Sequence, residues 1–316
     1  VVKVLVGGTN YGRIYIEALK LAGSKYSLTG ILARGSPSSR EIARSEQVPL
    51  YRSVRDLPSD VELACVAVGS SAVEVVFELL QRGVPVLCEH PVRTSDVRHA
   101  LELARRAGIT FNVNGHFADL ETIAPFHQTS RQLTETHSVI AADLVVADRA
   151  LYGGLDILRR SLDSTTPFQF RHIGRTGPFE HLNGKLGGTP ITISIQTSGT
   201  HGDYFLEDCS PEYLTDFRIT MIFQTGILTL LSIAGPVIWN RNYSRTAAGS
   251  SPMYDLLSPP GISSRDLYRK RVLANLHAIH RICEQVQTKA ITPEQEPHYL
   301  IETAQLWETI GGLLKQ

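Results

Sequence analysis

Short apolar runs alternate with helical patterns through the first third of the chain. Residues 2–6, 28–33, 63–68, 84–88 and 109–113 are brief stretches rich in Val, Ile and Leu. Residues 96–107 carry Val97, Ala100, Leu101 and Ala104 at i, i+3, i+4 and i+7, the spacing of one helix face. Strands alternating with helices in this way predict βαβ units and a parallel, doubly wound sheet. Its right-handed crossovers put ligands at the carboxyl ends of the strands. The texture changes near residue 135. Residues 139–147, 168–173, 191–197, 217–223 and 227–233 read as strands joined mainly by turns, with one helix over 151–162. That pattern predicts an α+β unit on a mostly antiparallel open sheet. Residues 240–264, rich in Ser, Pro and Gly, read as a long loop able to cover a substrate, and helices follow near 265–287 and 296–314. The expected division is residues 1–118 and 119–316, in keeping with a 316-residue length that suggests two domains.

Charge narrows the function classes. The 31 Lys and Arg balance 31 Asp and Glu, and no run of like charge is longer than Arg269-Lys270-Arg271, which argues against a nucleic-acid footprint or a polybasic membrane anchor. No apolar stretch approaches the length of a membrane span, and VVKVLVGG runs straight into a strand without a basic leader. A soluble, cytoplasmic protein is the expectation. Cys65, Cys88, Cys209 and Cys283 form no C-x-x-C pair, and the histidines are scattered, although His277 and His280 can share a helix face; neither a disulfide nor a metal site is expected.

The sharpest local signal is Gly7-Gly8-Thr9-Asn10-Tyr11-Gly12, between the first strand and a helix. Gly7 permits a tight turn, Gly12 a close helix approach, and the backbone N–H groups beyond them suit a pyrophosphate; Thr9 replaces the middle glycine of the dinucleotide fingerprint. The second strand ends in Ala33-Arg34-Gly35-Ser36-Pro37-Ser38-Ser39-Arg40, without the carboxylate that accepts from an NAD ribose. Arg34, Arg40, Ser36 and Ser39 instead offer donors to a 2′-phosphate, so NADPH is the expected cofactor, with a capped surface helix as the plain alternative. Ser70, after the third apolar run, joins this cofactor set. The fourth strand ends in Glu89-His90-Pro91 and the fifth in Asn114-Gly115-His116, at the edge expected for nicotinamide.

The Rossmann pattern, the strand-end E-x-P and the following α/β region resemble the glucose-fructose oxidoreductase and inositol dehydrogenase (Gfo/Idh/MocA) family. In that family the strand-end motif is usually Glu-Lys-Pro, with a later Asp-x-x-x-His pair. His90 stands here for the Lys and Arg160, four residues after Asp156, for the His. Glu89-His90-Pro91, the Val113-Asn114 turn, LARGSPSSREIA, Tyr152 leading to Asp156, and Gly235-Pro236-Val237-Ile238-Trp239 resemble the thiazolinyl imine reductases of siderophore assembly. The resemblance implies NADPH-dependent reduction of a thiazoline C=N to a thiazolidine on a carrier-protein-bound nonribosomal peptide intermediate, by a homodimer. Where those enzymes carry a Tyr after the Val-Asn turn, this chain has His116-Phe117.

Imine reduction needs a proton at nitrogen as hydride arrives at carbon. An imidazole, with an ordinary pKa near 6.5, suits that task at neutral pH better than an unperturbed lysine. His90 is the first candidate, His116 its partner or substitute, Tyr152 a third, and Asp156 an orienting group or a plain helix-surface carboxylate; Glu89, Pro91 and Asn114 are expected to shape the cofactor pocket. Reduction of another cyclic imine or a sugar, or cofactor binding without catalysis, are the alternatives.

Overall fold

The computed structural model describes residues 1–67, 72–162, 165–197, 216–242, 253–258 and 261–315. The chain forms two compact units, one of Val1–His116 with Arg269–Gln305, the other of Phe117–Tyr268 with Leu306–Gln316.

The first unit alternates β1 (Val2–Gly7), α1 (Arg13–Leu21), β2 (Tyr26–Leu32), α2 (Pro37–Ser45), β3 (Leu50–Tyr51), β4 (Leu63–Val66), α3 (Ala72–Gln81), β5 (Val86–Glu89), α4 (Thr94–Ala107) and β6 (Phe111–Asn114). The strands lie in the order β3-β2-β1-β4-β5-β6, and every pair is parallel. The order reverses between β1 and β4, the switch point at which doubly wound sheets open a crevice for a ligand. Local chemistry sets the helix ends. Ser36 caps α2 by accepting from the Ser39 N–H at 3.2 Å, with Pro37 at the first helical position. Gly108, at φ +68°, ends α4 in the left-handed conformation that glycine adopts without strain.

The first core joins Val4 and Val6 of β1, Ile31 of β2, Leu63 and Cys65 of β4 and Leu87 of β5 to Ile14, Tyr15 and Ala18 of α1. Val272, Leu276, Ile279 and Ile282 complete it. They lie on α7 (Ser264–Thr288), a helical stripe repeating every three or four residues. Residues 269–305 therefore group with the first unit by packing, although the sequence order had put them with the second.

In the second unit α5 (Ala124–Thr134) precedes β7 (Val139–Ala147), α6 (Leu151–Ser161), β8 (Phe168–Thr176), β9 (Phe179–Leu186), β10 (Thr189–Gln196), β11 (Phe217–Phe223), β12 (Gly226–Leu230), β13 (Val237–Arg241) and β14 (Tyr254–Leu256). The chain closes with α8 (Pro297–Leu313), which the division between units crosses. The eight strands form one sheet, β14-β13-β12-β11-β7-β10-β9-β8, antiparallel except at β7-β10. Burial alternates along β7 and β11, so one face of the sheet packs inward. Helix α6 lies against it through Gly154, where a Cβ would stand 3.1 Å from Leu144.

The fold class matches the expectation, and several elements sharpen it. The expected strands 139–147 and 217–223 appear with the same bounds. Helix α5 and strands β9, β13 and β14 were not expected. The long loop over 240–264 is corrected in part: Arg241 still belongs to β13, and Tyr254–Leu256 pairs antiparallel with it, Ile238 opposite Leu256. An Arg241 to Asp255 ion pair at 2.6 Å ties the two strands. Residues 243–252 and 259–260 of that stretch lie outside the described residues, as do Ser70 and Cys209. Among the described residues no helix is long and apolar enough to cross a membrane.

Candidate active site

The glycine loop meets its steric demands at two positions. Gly8 adopts φ +88° and donates its N–H to the Leu32 carbonyl at 2.8 Å, tying the loop to the end of β2. At Gly12 a Cβ would fall 2.1 Å from the Gly8 carbonyl oxygen, so only glycine lets α1 start there. No side chain caps that helix, which leaves its positive end to an anion. Arg13 braces the loop by donating from Nε to the Thr9 carbonyl at 3.2 Å.

At the end of β2, Arg34 and Arg40 are exposed, and among the described residues neither is paired with a carboxylate. Ser36 Oγ lies 3.0 Å from Ser38 Oγ, while the buried Ser39 donates its hydroxyl to the Ser36 carbonyl at 2.9 Å. This turn, residues 33–40, carries two arginines and no acidic residue.

The ends of β5 and β6 hold a tighter construction. Glu89 closes β5, and its Oε2 accepts from the Tyr15 hydroxyl at 2.5 Å and from Asn114 Nδ2 at 3.1 Å. Asn114 Nδ2 also lies 2.6 Å from the Tyr15 hydroxyl and 2.8 Å from Asn275 Oδ1, which joins α7 to the cluster. The other carboxylate oxygen, Oε1, is shared by two imidazoles, with His90 Nδ1 at 3.2 Å and His116 Nδ1 at 3.4 Å. Burial alone would raise the Glu89 pKa, but the hydrogen bonds and charges of His116 and His90 hold it well below the usual carboxylate range. The oxygen Oδ1 of Asn114 is buried and has no partner among the described residues, an open acceptor at the strand edge where a cofactor amide would lie.

The two histidines are not equivalent. His90 Nδ1 sits 2.6 Å from the Asn114 carbonyl, which only accepts, so that nitrogen carries a hydrogen and Nε2 is the site of proton exchange. His116 is fully buried, and burial pushes its pKa down to about 4 against the opposing pull of Glu89. Neutral at pH 7, it accepts from the Tyr11 hydroxyl at Nε2, 2.8 Å away, with Nδ1 toward Glu89. Although donor atoms of Glu89, His90 and His116 lie within 4.8 Å of one another, these hydrogen bonds already engage them.

The second unit holds Tyr152 and Asp156, both buried, on α6. Asp156 is no surface carboxylate. Arg160 clasps it with two bonds, Nη2 to Oδ2 at 2.8 Å and Nε to Oδ1 at 3.2 Å, while Nη1 reaches Asp119 at 2.8 Å. Nearby, His127 Nδ1 meets Ser161 Oγ at 2.9 Å, and burial followed by the charge of Arg160 pushes the His127 pKa down to about 4.

Residues 2–115 match the model of an oxidoreductase family with an NAD-binding Rossmann fold, GFO_IDH_MocA. Over that stretch the chain is similar to the Rossmann domain of this family. No curated protein matches the chain. Solved structures share the fold over nearly the whole length. GenD2 of gentamicin A biosynthesis, in complex with NAD, is 13% identical at a TM-score of 0.72, covering 99% of this chain and 93% of its own. A dehydrogenase from Chromobacterium violaceum is 13% identical at 0.73, covering 99% and 95%. The super-repressor mutant of Gal80p from Saccharomyces cerevisiae is 11% identical at 0.73, covering 99% and 96%. The chain thus shares its fold with these proteins over nearly its whole length, and residues 2–115 match a family of oxidoreductases.

Against the family pattern, His90 takes the place of the strand-end Lys, and Arg160 turns a would-be Asp-His pair into an ion pair. Sequence reasoning missed Tyr15, Asn275, Asp119 and His127. Tyr15 had a signal, since it lies one helical turn after Tyr11. Asn275 had another, an amide in mid-helix where such residues are disfavoured.

Proposed function

We propose that the protein reduces a ring C=N, a thiazoline held as a thioester on a carrier protein of a nonribosomal peptide synthetase, to a thiazolidine, with NADPH as the reductant. The observation that carries this reading is His90. Its Nδ1 is fixed on the Asn114 carbonyl and beside the Glu89 carboxylate, so its Nε2 can deliver a proton while the positive charge that precedes delivery is met by Glu89.

The glycine loop and the uncapped start of α1 would hold the pyrophosphate, and Arg34, Ser36 and Arg40 the 2′-phosphate. Asn114 Oδ1 would accept from the carboxamide. When bound, the cofactor supplies hydride to the imine carbon and leaves oxidised. His90 gives its Nε2 proton to the ring nitrogen and returns to the neutral form with Nδ1–H still on Asn114. Tyr15 and Asn114 keep Glu89 oriented throughout. His116 stays neutral and holds Glu89 rather than acting as the acid. Tyr152 and Asp156 belong to the second unit, Asp156 there as the ion-paired anchor of Arg160.

The test is direct. Purified protein is mixed with NADPH and a simple thiazoline ester, and NADPH fluorescence is followed with mass analysis of the product. A gain of two hydrogens supports the reading. Turnover of a sugar with NADP⁺ and none of the thiazoline would replace it with the sugar dehydrogenase alternative, while tight NADPH binding without turnover of either would favour a non-catalytic role.

A further inference from the structure

Strand β3 is only two residues long, yet its register decides what stands beside the end of β2. Leu32 pairs with Tyr51, and Ala33 donates its N–H to the Tyr51 carbonyl at 3.0 Å, so Arg52 follows next to the Arg34-Gly35 turn. The Arg52 guanidinium occupies the space that a side chain at Gly35 would need. A Cβ there would lie 2.9 Å from Arg52 Nε, 3.2 Å from Nη2 and 3.3 Å from Cζ. Gly35 is held by its φ of +85°, with the exposed Arg52 guanidinium laid against it.

Three arginines flank one turn in the chain: Arg34 before Gly35, Arg52 laid against Gly35, and Arg40 five residues on in α2. In a chain of net charge zero this is a local excess of positive charge. Among the described residues no carboxylate pairs with any of the three. Arg52 is exposed and holds a planar fork whose geometry matches two phosphate oxygens, as a lysine's point charge would not. Cations gathered without acids are best satisfied by an anion from solution.

We infer that Arg52 is a specificity-determining residue for the cofactor, a third donor to the 2′-phosphate that arrives from β3 rather than from the β2-α2 turn. The inference rests on the NADPH reading above and adds a residue to it. Its chemistry concerns only the adenosine end of the cofactor, so it can be tested without turnover.

Titration calorimetry with adenosine 2′,5′-bisphosphate and with AMP isolates the 2′-phosphate. The parent is expected to prefer the bisphosphate, and Arg52→Ala to lower bisphosphate affinity about tenfold with AMP affinity unchanged. Arg52→Gln, which keeps most of the side-chain length without the charge, should do the same, and far-ultraviolet circular dichroism checks that both fold. A parent preference that survives both substitutions overturns the role of Arg52 while leaving the NADPH reading intact. A parent without preference overturns both. Equal loss of affinity for the two ligands also overturns the proposal, since it would mark a general rather than a 2′-phosphate contact.

Discussion

Glu89 and Asp156 are carboxylates of similar burial with opposite surroundings. Glu89 is met by a tyrosine hydroxyl, an amide and two imidazoles, none of which carries a permanent charge. Asp156 is met by an arginine, which never gives up its proton. The first environment can change its protonation in a working cycle; the second is locked. On the proposed reading, this contrast separates a site of proton chemistry from a structural anchor, although both match the polar constellations that the family resemblance singles out. It also explains why His90 and Arg160 have different consequences. One histidine gained keeps a titratable group beside Glu89, and one histidine lost removes it from beside Asp156.

The largest effects should come from breaking the Glu89 side of the contrast. His90→Asn is expected to lower kcat by about 10² to 10⁴, the usual range for a general acid, with NADPH affinity little changed. Glu89→Gln should lower kcat as well, because the imidazolium loses its counter-charge. If His90→Asn keeps parental kcat on the thiazoline ester, the proton comes from elsewhere and the contrast loses its functional half.

On the other side, Arg160→Leu should act on stability. It removes the guanidinium that Asp156 and Asp119 share, and removing one partner of a buried pair costs about 3 to 5 kcal/mol. The double change Asp156→Leu, Arg160→Leu should recover part of that loss, since the stranded charge beside the leucine is gone. Urea unfolding measures both. An Arg160→Leu protein as stable as the parent would show that the pair is not structural.

Acid should weaken both regions through their histidines. His116 and His127 have folded pKa values near 4, below the ordinary 6.5, so the unfolded chain binds more protons between those values. Each therefore contributes stability that is present above pH 6.5 and lost as the pH falls toward 4, about 3 kcal/mol apiece if fully realised. Glu89 adds a loss in the same direction below pH 4.5, as its depressed pKa requires. Urea midpoints taken at intervals from pH 7 to 4.5 should fall steadily, and His127→Gln should flatten part of the fall. A stability independent of pH over that window would mean that neither imidazole is held neutral by the fold.

Much of this architecture was legible in the chain, and the gaps have physical causes. The parallel strands read clearly because both faces are buried and their sequences are nearly continuous apolar runs, as in Leu63–Val66. Strand β9, Phe-Glu-His-Leu-Asn-Gly-Lys-Leu, did not, because its place is set by pairing with β10 and β8 rather than by its own pattern. Glu89, His90, Asn114 and His116 were found because they follow strand ends. Tyr15 and Asn275 act through tertiary contacts that their local signals do not specify, and Arg52 through a two-residue strand that no local pattern announced. The burial of Asp156 follows from α6 being enclosed almost all round, a property that periodicity within eleven residues does not reveal.

The smallest expected effect is also the sharpest control. Glu102 on α4 is gripped as closely as Asp156, with Arg105 Nε and Nη2 each 2.9 Å away and Arg106 Nε at 2.7 Å. Judged by distance and by the number of bonds, it is the better ion pair. Its surroundings differ: the side chains of Arg105 and Arg106 are 72% and 69% exposed, whereas that of Arg160 is 11% exposed. Water screens the surface pair and solvates whichever partner is left behind, so little is lost when it is cut. Glu102→Gln should leave the melting temperature unchanged within error, beside a large drop for Arg160→Leu measured in the same buffer. Were the two drops comparable, bond geometry rather than burial would govern these pairs, and Asp156 would lose its claim to be an anchor of the second unit.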